Sequence, residues 1–314
     1  MRILVTGGAG FIGSHVADAF VHAGHDVVVF DDLSTGRREN VPSGAEFVQG
    51  DLREDASLQA LFSGPRFDVI SHQGAQTSVS VSTREPIRDA EINVVGGIKL
   101  LRKAVESQVP RFVFASTGGA IYGEVPEGSR AGIDWTPRPL SPYACSKLAF
   151  EGYVRAFEME HGISSTILRY ANVYGPRQDP HGEAGVVAIF CGRILGGQSI
   201  RVNARREPGD DGCVRDYVYV SDVVAANVAA AEGLFSEPVV NIGTGVGTAT
   251  RVLADILIAH GEAANCRTDL GFGPRRDGDL ERSVLEPSHI PGRDTLVGMD
   301  TGLRETFEYF RSRA

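Results

Sequence analysis

Apolar and polar positions follow two rhythms along the first half of the chain. Residues 2–6, 26–31, 45–49, 67–71, 111–116 and 163–170 are short runs rich in Val, Ile and Phe, bounded by Gly, Asp or Pro. Such unbroken runs predict strands buried on both faces. Between them, 11–24, 87–108 and 142–161 repeat apolar residues at three- and four-residue spacing, which predicts helices. Strand–helix–strand units in series demand a parallel sheet covered by helices on both faces. The expected fold class is therefore α/β, with a doubly wound parallel sheet. The second half is less regular, with turn-rich stretches at 174–185, 203–215 and 271–292 and helical runs at 221–232, 250–260 and about 302–312. It reads as a smaller lobe that closes over the strand ends.

The turn after the first strand carries the first chemistry. Residues 6–15 read TGGAGFIGSH, which places Gly7, Gly10 and Gly13 between a strand and a helix opened by Phe11 and Ile12. Glycine there permits a tight turn, close approach of backbone to a pyrophosphate and close helix packing, and the helix start offers N–H donors to the phosphates. Asp31 ends the next strand, eighteen residues past Gly13, where a carboxylate binds an adenosine ribose and repels a 2′-phosphate. That favours NAD over NADP, with Arg37 and Arg38 read as solvated loop residues. Asp51 and Leu52, after the third strand, are placed to border the adenine; a plain turn aspartate is the alternative. The expected division is a Rossmann domain at 1–170, with returning segments near 215–245, and a substrate lobe at 171–214 and 246–314.

Tyr143 and Lys147 stand four apart in SPYACSK, behind Ser141-Pro142, a good helix start. That spacing puts both side chains on one face of a helix. An ammonium beside a phenol favours the phenolate, so the pair can take a proton from an alcohol. Lys147 is one of only three lysines, with Lys99 and Lys103, so few compact ammonium groups exist to choose from. A helper hydroxyl comes from Ser116 or Thr117 at the end of the fifth strand; Thr117 lies nearer the glycines that make room for a ligand.

Composition narrows the partners. The 314 residues are 42% hydrophobic and 23% charged, with formal net charge −9, enough for a sizeable core and unsuited to nucleic acid. No stretch approaches a membrane span, and the opening MRILVTGG lacks the form of an export signal. The four cysteines, at 145, 191, 213 and 266, show neither CxxC nor metal-ligand spacing, and a cytoplasmic location is expected.

Ten ordered motifs carry a resemblance: TGGAGFIGSH at 6–15, DDLSTG at 31–36, GDLR at 50–53, Asn93, STGGAIYG at 116–123, SPYACSK at 141–147, RYANVYGPRQDPHGEAGVVAIF at 169–190, VRDYVYVSDV at 214–223, NIGTG at 241–245 and GDLERS at 278–283. The chain resembles the extended short-chain dehydrogenase/reductases and, among them, the UDP-glucose (UDP-galactose) 4-epimerases. The resemblance implies an isomerase with tightly held NAD, a UDP-hexose substrate, a transient 4-keto sugar and a homodimer. It implies Tyr143 as base and Lys147 as its lysine, with Asp31, Asp32, Asn93 and Tyr170 at the cofactor. Thr117, Asn172, Arg215, Arg276 and Asp279 would be at the substrate, and Ser283 would border the sugar. His72 and His181 read as structural. Two departures stand out: Gly118 where many epimerases have serine, and Thr77 where some have lysine. A UDP-glucuronate or UDP-N-acetylhexosamine 4-epimerase is the neighbouring reading, and an NAD-sensing regulator the non-enzymatic one. A sugar-nucleotide dehydratase would need an acid and a base where this chain has Gly118-Gly119.

Overall fold

The computed structural model describes residues 1–180, 185–276 and 278–314. The apolar runs of the first half form β1 (Arg2–Thr6), β2 (Asp26–Asp31), β3 (Glu46–Gln49), β4 (Val69–His72), β5 (Arg111–Thr117) and β6 (Ser164–Tyr170). They are joined by α1 (Phe11–His22), α2 (Asp55–Leu61), α3 (Val79–Arg84), α4 (Pro86–Ala90), α5 (Gly97–Glu106), α6 (Gly118–Ile121) and α7 (Pro142–His161). Beyond Tyr170 come β7 (Asn172–Tyr174), α8 (Val186–Leu195), β8 (Ile200–Asn203), β9 (Val214–Tyr219), α9 (Val220–Glu232), β10 (Val239–Ile242) and β11 (Gly247–Ala249). The chain closes with α10 (Thr250–Ala263), β12 (Leu270–Gly273), β13 (Arg282–Ser283) and α11 (Met299–Arg311).

A seven-stranded sheet runs β10-β6-β5-β4-β1-β2-β3, parallel throughout. The fold class is thus the doubly wound one expected. Strand order reverses between β1 and β4, and in such sheets the ligand crevice opens at that switch point, beyond the carboxyl ends. One face packs on α1 and α9 through Val16, Phe20, Val223 and Ala226, the other on α2, α5 and α7 through Leu58, Leu100, Phe150 and Val154. A third core gathers Ile194 of α8, Ile200 of β8, Leu257 of α10 and Phe307 of α11.

Two expectations are corrected here. The edge strand β10 has no counterpart among the predicted strands: it is four residues long, and buried Asn241 interrupts its apolar pattern to donate to the carbonyls of Ala131 (2.9 Å) and Glu286 (3.1 Å). The helix expected at 87–108 is α4 and α5 joined by a π-helical turn at Glu91–Gly96. Gly96 and Gly97 explain the tight packing there, since a Cβ would lie 3.1 Å from Leu52 Cβ and 2.6 Å from the Phe150 ring respectively. Such wide turns are frequent at functional sites, and this one carries Asn93, 2% exposed. By contrast α7 begins as expected: Ser141 Oγ accepts from Ala144 N (3.2 Å) with Pro142 in the first turn, and Gly162 at φ +72° ends it.

Candidate active site

The glycine turn sits at the switch point. Gly7 (φ +65°) could not carry a Cβ, which would fall 2.6 Å from Gly74 Cα on the turn after β4. A Cβ on Gly13 would fall 2.1 Å from the Gly7 carbonyl, so only glycine lets α1 start against β1. Gly10 differs, since its Cβ would meet only the Gly7 carbonyl, at 3.2 Å. The space above it is a cradle that a side chain would fill. No side chain caps α1, which leaves N–H groups of its first turn, at Phe11 and Ile12, for a ligand. These features fit a dinucleotide pyrophosphate.

Asp31 ends β2 with its carboxylate 3.0 Å from Ala9 N and 2.8 Å from Leu33 N, and burial raises its pKa. Asp32 is exposed and accepts from the backbone and hydroxyl of Ser34 (2.9 and 2.7 Å). Arg38 lies 4.5 Å over the Phe47 ring, and Arg37 is exposed. Asp51 is held by the Arg53 guanidinium (2.6 Å), which lowers its pKa, beside buried Leu52.

The α7 pair faces the end of β5. Tyr143 is half-buried, and the Thr117 hydroxyl lies beside its phenol. Ser116 points elsewhere, donating to Glu151 Oε1 at 2.5 Å. Lys147, 3% exposed, donates to the Ala115 carbonyl (2.8 Å) and lies 4.8 Å from the Phe114 ring. The proton balance departs from expectation. Burial pushes the Tyr143 phenol up to about 12, with the neighbouring Thr117 hydroxyl opposing and Asp89 adding to the rise. Burial also pulls Lys147 down to about 8, against the pull of Asp89 and Glu151. Desolvation acts directly on both groups, while the ammonium is directed at the Ala115 carbonyl, so the protein alone does not favour the phenolate.

Around the pair, Asn93 donates to Gln76 O (2.9 Å), Asp89 Oδ1 (3.1 Å) and Ser146 Oγ (3.2 Å), and its Oδ1 accepts from Gln76 N (2.9 Å). Tyr170 is buried, accepting from Asn227 Nδ2 (2.7 Å) and donating to Gln73 Oε1 (3.3 Å). His72 is enclosed by Phe112, Phe114 and Phe150, with Nδ1 2.7 Å from Thr6 Oγ1. His181 lies outside the described residues.

Beyond β6, Asn172 Nδ2 donates to Asp216 O (3.2 Å) and borders Gly119 at 3.4 Å from where a Cβ would sit. Arg215 and Asp279 both flank Cys213 and Tyr217. Arg276 is exposed, on the turn where its carbonyl accepts from Asp279 N (3.4 Å). Ser283, 1% exposed, donates to Gly119 O (3.0 Å). Sequence reasoning passed over Asp216. Its buried carboxylate accepts from Thr244 N (2.9 Å), Thr244 Oγ1 (2.7 Å) and Gly245 N (3.0 Å) and fastens the NIGTG segment to β9 beside Arg215. The signal lay in VRDY and NIGTG, quoted as motifs without a role for the aspartate.

A family model, the NAD dependent epimerase/dehydratase family, matches residues 3–243. The chain belongs to that family. This epimerase/dehydratase is similar to the UDP-glucose 4-epimerase of Mycolicibacterium smegmatis, 40% identical with all of both chains covered. Among solved structures it is similar to the Thermus thermophilus UDP-glucose 4-epimerase in complex with NAD, at 48% identity and TM-score 0.92 with both chains fully covered. It is also similar to the Thermotoga maritima UDP-glucose 4-epimerase with UDP-glucose, at 42% identity and TM-score 0.92, covering 100% of this chain and 99% of the other. Among the described residues, no helix of this epimerase/dehydratase is long and apolar enough to cross a membrane.

Proposed function

We propose that the protein is an NAD-dependent UDP-glucose/UDP-galactose 4-epimerase acting through a transient 4-keto sugar. The observation that carries this is Tyr143 with the Thr117 hydroxyl beside it and Lys147 one helical turn away, beside Gly118-Gly119. Neither Gly118 nor Gly119 carries the acid or base that water elimination requires at this place. The likeness to two UDP-glucose 4-epimerases with TM-scores of 0.92 supports the same reading.

In this reading the sheet crevice holds the coenzyme: Gly7, Gly10, Phe11, Ile12 and Gly13 face its pyrophosphate, Asp31 and Asp32 its ribose, and Asp51 and Leu52 its adenine. Asn93 and Tyr170 shape the nicotinamide end. When bound, NAD supplies a hydride acceptor and donor for C4 of the sugar and a positive charge beside the phenol. Tyr143 takes the proton of the 4-OH and returns it, Thr117 holds the reacting oxygen, and Lys147 keeps an ammonium beside them. Asn172, Arg215, Arg276 and Asp279 hold the UDP, guanidinium groups being suited to diphosphate oxygens. Remote binding of this kind lets the sugar turn over while it stays in reach. The substrate lobe comprises 171–214 and 246–314, and the dinucleotide domain 1–170 with 215–245.

The protein acts as a homodimer in the cytoplasm. Supporting the dimer, α7 exposes Cys145, Ala149, Gly152, Tyr153, Ala156 and Met159 along one face, with Ile87 (76% exposed) on the neighbouring α4.

The test is UDP-galactose turnover by the wild type and by Tyr143→Phe. The expected result is conversion to UDP-glucose by the wild type, slowed by about 10²–10⁴-fold in the variant, with NAD still bound to both. An inactive wild type, or an unimpaired variant, contradicts the proposal.

A further inference from the structure

We propose that Asp89 is a positioning residue for this reaction, a buried carboxylate fastened through Asn93 to α7 between Tyr143 and Lys147 that sets the charge balance between them. The inference rests on the epimerase reading above.

Asp89 is 1% exposed. Its Oδ1 accepts from Gln76 Nε2 (2.7 Å) and Asn93 Nδ2 (3.1 Å). Asn93 reaches on to Ser146 Oγ (3.2 Å), and that hydroxyl donates to the Tyr143 carbonyl (3.0 Å). The hydrogen bonds therefore run from the carboxylate to the backbone of the base. Gln76 in turn donates to Ser78 O (3.0 Å) and accepts from Ser78 N (2.6 Å), and Ser78 caps α3. One carboxylate thus joins the loop after β4, the π-helical turn and α7.

A buried carboxylate is costly unless donors and charge compensate it. Among the described residues, the hydrogen-bond donors to Asp89 are neutral amides, and Lys147 is a cation on which its charge acts. The other groups around the pair divide by element. Glu151, one turn beyond Lys147, also acts on it and is engaged by Arg169 of β6 (2.6 Å) and Ser116 of β5. His72 of β4 is held neutral by burial. Thr117 of β5 faces Tyr143. Asp89 differs from Glu151 in acting on both Tyr143 and Lys147, raising the proton affinity of each.

This gives a signature that mere structural support cannot imitate. The reaction needs Tyr143 deprotonated and Lys147 protonated, so they set the acid and alkaline limbs of the pH profile. Removing the charge in Asp89→Asn lowers both proton affinities. Both limbs of kcat/KM for UDP-galactose are expected to move down together by about one pH unit, with KM at the optimum unchanged. Asp89→Glu, which keeps the charge, is expected to return both limbs toward wild type. Limbs that stay fixed while kcat falls, or that move apart, overturn the proposal. Should Asp89→Asn fail to fold, Asp89→Ser, with an acceptor but no charge, reads the same shift. A wild type without epimerase activity would instead overturn the functional reading itself.

Discussion

At Tyr143 and Lys147, burial works against the charged form of each group, holding the phenol near 12 and the ammonium near 8. His72 shows the same force without an opposing one. Buried among three phenylalanines and near Lys147, it is held down to about 3. Unfolded, it titrates near 6.5. Between those values the unfolded chain binds a proton that the folded chain refuses, so this contribution is complete above 6.5 and declines as pH falls toward 3. The expected slope is about 1.4 kcal/mol per pH unit. Urea unfolding at about pH 7 and about pH 5 checks it: His72→Leu should lose less stability between those conditions than wild type, and an equal loss would refute the assignment. The reading of His72 as structural was available from sequence because Tyr143 already filled the base role. The reversal of the tyrosine's proton affinity was not, because i, i+4 spacing reports which face residues share and not how far water is excluded.

Among the elements, the glycine turn and α1 are the most demanding. A Cβ at Gly13 meets backbone that cannot yield, 2.1 Å away, whereas one at Gly10 meets a single carbonyl at 3.2 Å. The expected outcome is that Gly13→Ala loses both stability and NAD. Gly10→Ala should lose much less in melting temperature than Gly13→Ala yet retain less NAD than wild type, the cradle being filled. NAD released on denaturing the purified variants, read beside their melting curves, checks this; matched behaviour of the two would contradict it. Periodicity located α1, α7 and the first six strands within a few residues, because their apolar stripes are long and glycine or proline marks their ends. It passed over α2, α8, β8 and β10, which are short or, like β10 with Asn241, polar at a buried position. The π-helical turn was hidden because one extra residue in a turn leaves the spacing of neighbouring apolar residues almost unchanged.

Across the whole molecule, one carboxylate, Asp216, ties β9 to the segment after β10, and Ser283 ties β13 to Gly119. These joints bring Asn172 beside the end of β5. The motifs that mark them were legible, but their pairing across more than sixty residues, as between Asp216 and Leu285, is a property of the fold. Tyr153→Glu is expected to halve the mass found by light scattering, and an unchanged mass would remove α7 from the proposed dimer contact. In the 4-epimerase reading, hydrogen leaves C4 of the sugar and returns to it without meeting solvent. Incubating the purified protein with UDP-galactose deuterated at C4 and reading the product by NMR tests this directly. The expected product is UDP-glucose with deuterium kept at C4; loss of the label to water, or no inversion at C4, would refute the 4-epimerase reading.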